Sequence, residues 1–66
     1  MADLMTLEEV SAATGVPVAT LRYIRATKPE RGPRLFVLAG RVRAKRGDVE
    51  AWIEHQYRST STNAAS

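Results

Sequence analysis

The sequence predicts one small α+β domain in which two short helices are followed by a β-hairpin and a third helix. Three features of the 66 residues support this prediction. Apolar residues recur at helical spacing near both ends, a period-two alternation marks a strand between them, and glycine or proline separates the segments. We assign residues 1–58 to this domain. Residues 59–66 are small, polar and aperiodic, and are predicted to form a disordered tail.

The first helix has a clear start and a clear end. Thr6 and Glu9 match a capping box, in which each side chain accepts a hydrogen bond from the backbone amide of the other residue. Met5 and Val10 flank the box at the two positions of a hydrophobic staple. Gly15 is predicted to end the helix, because glycine adopts the left-handed conformation there without steric cost.

The second helix is expected to open at Val16-Pro17 and to fade near Thr27. Proline is favoured in a first helical turn because its missing N–H would be unpaired there in any residue. Lys28-Pro29 ends the helix, since the residue before a proline avoids helical backbone angles. Leu21 and Ile24 share one face and are predicted to pack inward. The side chains left to face outward are Thr20, Arg22, Tyr23 and Arg25.

A two-stranded hairpin is expected next, with a tight turn at Ala39-Gly40 between strands 34–38 and 41–45. The first strand is apolar on both faces, so either Leu35 and Val37 or Phe36 and Leu38 could pack inward. The second strand alternates, which places its apolar and basic residues on opposite faces. Val42 and Ala44 lie on one face, and Arg41, Arg43 and Lys45 lie on the other.

The last helix is expected to begin near Gly47-Asp48 and to end by about Arg58. Asp48 and Glu50 stand near the positive end of the helix dipole, where acidic residues are favourable. The spacing predicts one apolar stripe for the inner face of this helix. Its members are Val49, Trp52, Ile53 and Tyr57, and Trp52 is expected to anchor the core.

Positive charge is concentrated in one segment of the chain. The net charge is +3, and residues 31–46 contain six basic residues and no acidic residue. The flanking segments, 1–30 and 47–66, each contain more acidic than basic residues. Such a segment predicts a basic surface patch, for which nucleic acid is the usual partner. A charged strand that only maintains solubility would be expected to contain both acidic and basic residues.

The order of elements agrees with this interpretation. Two short helices joined by a glycine-containing turn are typical of a helix-turn-helix, whose second helix enters the major groove of DNA. Small residues at the start of that helix allow close approach, and arginines can bind guanine or phosphate. The basic hairpin would be a wing suited to the narrow minor groove. The candidate DNA-binding residues are Pro17, Val18, Ala19, Thr20, Arg22, Tyr23, Arg25, Lys28, Arg34, Arg41, Arg43, Lys45 and Arg46.

Other classes of function receive little support. The chain has no cysteine and one histidine, His55, so no zinc site, disulfide or catalytic constellation can be assembled. We therefore expect no enzymatic activity, no cofactor and no small-molecule substrate. No apolar run approaches the roughly 20 residues of a membrane span, and Met1-Ala2-Asp3 does not open a signal peptide, so a cytoplasmic location is expected. A protein-interaction module is the open alternative, and weak binding to random duplex DNA would count against it.

Six segments resemble the excisionase/AlpA group, the minimal branch of MerR-like winged-helix DNA-binding proteins, from about Leu4 to Gln56. They are Thr6-Leu7-Glu8-Glu9-Val10, Gly15-Val16-Pro17, Thr20-Leu21-Arg22-Tyr23, Gly32-Pro33-Arg34, Arg41-Val42-Arg43 and Asp48-Val49-Glu50-Ala51-Trp52-Ile53. The chain departs from the group at Pro17, usually a serine cap, at Ile24, usually aromatic, and at Ala44, usually tyrosine. The resemblance implies a small winged helix-turn-helix with Thr20, Arg22 and Tyr23 near DNA, Arg41 and Arg43 in the wing, and Trp52 in the core.

The resemblance also implies a biological role. Phage excisionases, also called recombination directionality factors, bind repeated DNA sites cooperatively, bend the duplex and direct an integrase toward excision. The expected partners are double-stranded DNA, a phage integrase and neighbouring copies of the protein, with Leu4, Tyr57 and the tail as candidate contacts. The alternative is a small MerR/AlpA-like transcriptional regulator. MerR regulators dimerise through a long C-terminal helix, and the predicted last helix is too short for that mode.

Overall fold

A computed structural model describes residues 3–61, and it confirms the predicted α+β class. Three helices and a three-stranded antiparallel sheet give the arrangement of a small winged helix-turn-helix domain. The elements in chain order are β1 (Leu4–Thr6), α1 (Leu7–Thr14), α2 (Val18–Thr27), a 3₁₀ turn (Pro29–Arg31), β2 (Phe36–Leu38), β3 (Arg41–Lys45) and α3 (Arg46–Thr60).

Both predicted ends of α1 are confirmed by hydrogen bonds. The Thr6 amide donates to Oε1 of Glu9 at 2.8 Å, and the Glu9 amide donates to Oγ1 of Thr6 at 3.0 Å. Gly15 has a φ of 78°, and its amide donates to the carbonyl of Ser11. The two staple residues, Met5 and Val10, are both buried in the core. Local side-chain chemistry therefore determines where this helix begins and ends.

Helix α2 begins one residue later than its proline suggested. Pro17 has a ψ of 149° and precedes the helix, so it is the N-cap residue rather than part of the first turn. Its carbonyl accepts a hydrogen bond from the Leu21 amide at 3.0 Å, the first bond of the helical pattern. The predicted end holds, because Lys28 leaves the helical region directly before Pro29.

Strand β1 was not expected from the sequence. Leu4, Met5 and Thr6 pair antiparallel with Lys45, Ala44 and Arg43, which places β3 in the centre of the sheet in the order β1-β3-β2. The Arg46 amide also donates to the carbonyl of Asp3 at 2.6 Å, which extends this pairing by one residue. A strand of three residues shows too little alternation to be recognised, and its partner lies about 40 positions away.

The pairing of β2 with β3 settles which face of the hairpin is inward. Val37 lies opposite Val42, on the same face as the buried Ala44, because cross-strand partners share a face. Leu35 precedes the strand and packs against the core. Phe36 and Leu38 lie on the outer face, opposite Arg43 and Arg41. The strand is shorter than expected, since Arg34 and Leu35 lie outside it.

The core is small and receives residues from five elements. Residues with almost no exposed surface are Met5 from β1, Leu7 and Val10 from α1, Leu21 from α2, Ala44 from β3 and Val49 from α3. Four partly buried residues pack around them, namely Val16, Val18, Leu35 and Val42. A core of this size leaves a chain of 66 residues with little surplus stability.

Helix α3 extends further in both directions than expected. It begins at Arg46, before Gly47-Asp48, and runs past Arg58 to Thr60. Ser59 and Thr60, assigned to the tail, are helical and donate their hydroxyls to the carbonyls of His55 and Gln56. Ser61 follows the helix as its C-cap, and residues 62–66 of the predicted tail lie outside the described residues.

The predicted apolar stripe of α3 is wrong beyond its first turn. Val49 is buried, but Ile53 and Tyr57 are exposed because the helix runs past the small core. The assignment of Trp52 to the core is also wrong: the residue is only partly buried, and it belongs neither to the core cluster nor to the residues packed against it. Its Nε1 donates to the carbonyl of Arg31 at 3.1 Å. Trp52 therefore joins α3 to the 3₁₀ turn.

Candidate nucleic-acid interface

The outer face of α2 presents most of the predicted contact residues to solvent. Leu21 is buried on the inner face, and Tyr23 is 66% exposed on the outer face. Val18 is half-buried and packs against the core, so its role in the structure is packing. The exposed candidates on or beside this helix are Pro17, Ala19, Thr20, Arg22, Tyr23, Arg25 and Lys28. These side chains form a surface about 15 Å long, given the 10 residues of the helix.

The hairpin ends in a tight turn that projects from the sheet. Ala39 has a φ of 53° and Gly40 a φ of 79°, so both central residues are left-handed, as a type I′ turn requires. Arg41 directly follows the turn and is exposed. Arg43 is half-buried, and its guanidinium donates to the carbonyl of Val42 at 3.0 Å. This bond holds one of the wing arginines close to the sheet.

An open groove of about 560 Å³ lies between α2 and the hairpin. Four of the residues along it are arginines, two from α2 and two from β3, and we call it the arginine groove: Arg22, Arg25, Arg41 and Arg43. The sequence placed these residues on two separate elements, and the fold brings them to one groove. Glu8 is the only acidic residue that lines it. Glu8 was not among the candidates that the sequence suggested.

The cations of this surface form no ion pair with an acidic residue in the part of the chain that the structure describes. Between residues 3 and 61, the only ion pair joins Arg58 to Glu54, at 2.9 Å on α3. The four groove arginines therefore have no carboxylate within 4.0 Å among the described residues. Like charges in one groove repel one another, and a bound anion would relieve that repulsion. The groove is thus electrostatically suited to an anionic ligand.

The remaining basic candidates lie outside the arginine groove. Lys45 lies at the far end of β3 and pairs with Leu4. Given the rise per residue of a strand, it is about 13 Å from Arg41. Arg46 is the first residue of α3 and is exposed. Arg34 lines a separate small cleft of about 150 Å³ between α2 and the loop that follows it, as does Arg25. The positive surface therefore extends beyond the groove on the same domain.

Neither a cluster of metal-ligating residues nor a membrane-spanning helix occurs among the described residues. No group of three histidine, cysteine or acidic residues within 3–61 could hold a metal ion. Within the same range, none of the helices has the length and apolar character required to cross a bilayer. Comparison with protein-family models, curated proteins and solved structures finds no significant match to this chain.

Proposed function

We propose that this protein binds double-stranded DNA in a sequence-specific manner, without enzymatic activity. The observation that supports this most is the arginine groove, lined by four arginines from two elements that have no acidic partner among residues 3–61. A helix with an exposed, arginine-bearing face fits a major groove roughly 12 Å wide. The hairpin beside it would then reach the adjacent minor groove, so that the arginine groove spans one phosphodiester strand.

The residues on the two sides of the arginine groove have different roles in this proposal. Arg22 on α2 contacts a guanine edge, with Thr20 and Tyr23 beside it at bases and backbone. Arg41 and Arg43 hold phosphates on the minor-groove side, where a guanidinium fork matches a phosphate. The other basic candidates, Arg25, Lys28, Arg34, Lys45 and Arg46, add contacts along the backbone, which set orientation without reading sequence.

We further propose that copies of the protein occupy neighbouring repeats, bend the duplex and direct a phage integrase toward excision. One recognition helix and one wing bury only about 600–1,000 Å² of protein surface on DNA, which limits the affinity of a single copy. Contacts between neighbours would add affinity. Leu4, Ile53 and Tyr57 are exposed apolar residues available for contacts with a neighbouring copy or an integrase.

A small transcriptional regulator is the second candidate function. Ile53 and Tyr57 lie four positions apart near the end of α3, both exposed, and could pair across a symmetric dimer. α3 also extends to Thr60, beyond its expected end. A symmetric dimer would require a palindromic site, whereas neighbours in a row would require repeats of one orientation.

Footprinting distinguishes the two roles. Binding sites would first be selected from a pool of random duplexes, and then footprinted at increasing protein concentration. We expect several sites of one orientation to be protected together, with gel migration that depends on where those sites lie in the fragment. Protection of one isolated palindrome by a stable dimer would contradict the architectural role and support the regulator. Absence of any selected site would contradict DNA recognition itself.

A further inference from the structure

The end of the hairpin is apolar, although basic residues flank it. We call residues 37–40 the hairpin tip. Val37 is 54% exposed and Leu38 is 46% exposed, and both precede the turn at Ala39-Gly40. Leu38 lies opposite Arg41 on the outer face of the sheet, away from the face that buries Met5 and Ala44. Its exposure is therefore not a consequence of incomplete packing in the core.

The turn itself avoids polar side chains. Type I′ turns favour asparagine or aspartate followed by glycine, because these residues tolerate positive φ. Ala39 occupies the first of these positions and is the only non-glycine residue with positive φ among residues 3–61. An asparagine there would stabilise the turn and be better solvated. Alanine instead makes the outermost part of the hairpin tip narrow and free of polar side-chain atoms.

Cations lie directly beside this apolar end. Arg41 faces Leu38 across the two strands, and Arg43 follows two residues later on the same face. No acidic residue occurs between Arg31 and Gly47, so the hairpin itself carries no side chain that repels a phosphate. Proteins that kink DNA from the minor groove combine an inserted apolar side chain with basic residues on the flanking backbone.

We propose that Leu38 inserts between two base pairs from the minor groove and kinks the duplex, while Arg41 holds the adjacent backbone. The inference rests on the proposed DNA binding and adds the residue responsible for bending. The hairpin tip ends in Ala39-Gly40, whose side chains are small, so its end alone can approach a minor groove roughly 6 Å wide that opens as the duplex is kinked. The step that accepts Leu38 should be a pyrimidine–purine step such as TA or CA, because these steps unstack most easily.

The test uses the full chain and a duplex selected for binding. Donor and acceptor dyes at the two ends report bending, and 2-aminopurine placed at successive positions reports unstacking by increased fluorescence. The wild type should increase energy transfer and raise fluorescence severalfold at one step. Leu38→Ala should lose that fluorescence rise and at least half of the change in transfer. Val37→Ala is the matched control, since Val37 is equally exposed on the other face, and it should keep both signals.

Leu38→Met is the second variant, for the case in which Leu38→Ala does not fold. Methionine keeps an apolar side chain long enough to insert between base pairs. This variant should melt like the wild type and retain both signals. The proposal is wrong if Leu38→Ala folds and keeps the full fluorescence rise, or if the wild type bends the duplex with no unstacked step. Loss of both signals in Leu38→Met would also overturn it. By contrast, a wild type that binds no duplex would refute the proposed function, before any variant is compared.

Discussion

Leu21→Ala is expected to remove about half of the domain's free energy of unfolding. Leu21 is 1% exposed on the inner face of α2 and is the largest of the fully buried side chains. Truncating a buried leucine costs about 2–5 kcal/mol, because the cavity closes only partly. A chain of this length has a free energy of unfolding of about 3–10 kcal/mol at the usual value per residue. Urea unfolding followed by circular dichroism measures the loss.

Trp52→Phe is the matched comparison for this prediction. Trp52 is the larger residue, but it is half-buried, and the substitution removes the indole N–H that donates to Arg31 while keeping an aromatic ring. A single hydrogen bond contributes about 0.5–1.5 kcal/mol, so the loss should be smaller than for Leu21→Ala. The reverse order would show that Trp52, and not Leu21, is central to the core.

Arg22→Ala is expected to weaken binding to the selected DNA site by about 1–3 kcal/mol, the value of one bidentate contact to guanine. Binding to random duplex DNA should change little, because Arg22 is proposed to contact a base edge. Arg41→Ala should instead weaken binding to the selected site and to random DNA to a similar extent, because a phosphate contact does not depend on base sequence. Fluorescence anisotropy titrations at one fixed salt concentration give both affinities for each variant.

Arg58→Ala is the control for the loss of one positive charge. Arg58 lies on α3, outside the arginine groove, and pairs with Glu54 in an exposed ion pair of small energetic value. It should bind both DNAs nearly as the wild type does. If Arg22→Ala weakens binding to random DNA and to the selected site equally, Arg22 contacts phosphate. Base recognition would then belong to other residues of α2.

Local features of the fold could be predicted from the sequence. Thr6, Glu9 and Gly15 determine the ends of α1 through bonds to their own neighbours, and these contacts need no tertiary context. Lys28-Pro29 ends α2 for an equally local reason. The alternation in β3 correctly separated Ala44 from Arg41, because side chains change face at every residue of a strand.

Features that depend on distant partners could not be predicted. β1 exists because its three residues bond to β3, far along the chain. Ile53 and Tyr57 have the spacing of an inner face, but the core ends before the helix reaches them. Periodicity identifies a helix face without showing whether anything covers it. Trp52 was misplaced for the same reason, and only the structure reveals its hydrogen bond to Arg31.

The candidate site also has features that the sequence predicts and features that depend on the fold. The excess of positive charge in 31–46 was visible in the sequence, as was the outward face of α2. The convergence of Arg22 and Arg25 with Arg41 and Arg43 depends on where the fold places α2 relative to the hairpin, which composition cannot show. Val18, at the start of α2, is also partly buried against the core. The distribution of charge along the sequence predicts an anionic partner, and the structure shows the groove that is proposed to bind it.

The dependence of DNA affinity on salt tests the central claim most directly. If roughly six basic side chains neutralise phosphates, a plot of log affinity against log salt concentration should have a slope of about −5. The double variant Arg41→Ala/Arg43→Ala should reduce the steepness by about 2, while Arg58→Ala should leave it unchanged. A wild-type slope near zero would contradict binding of the DNA backbone by these residues.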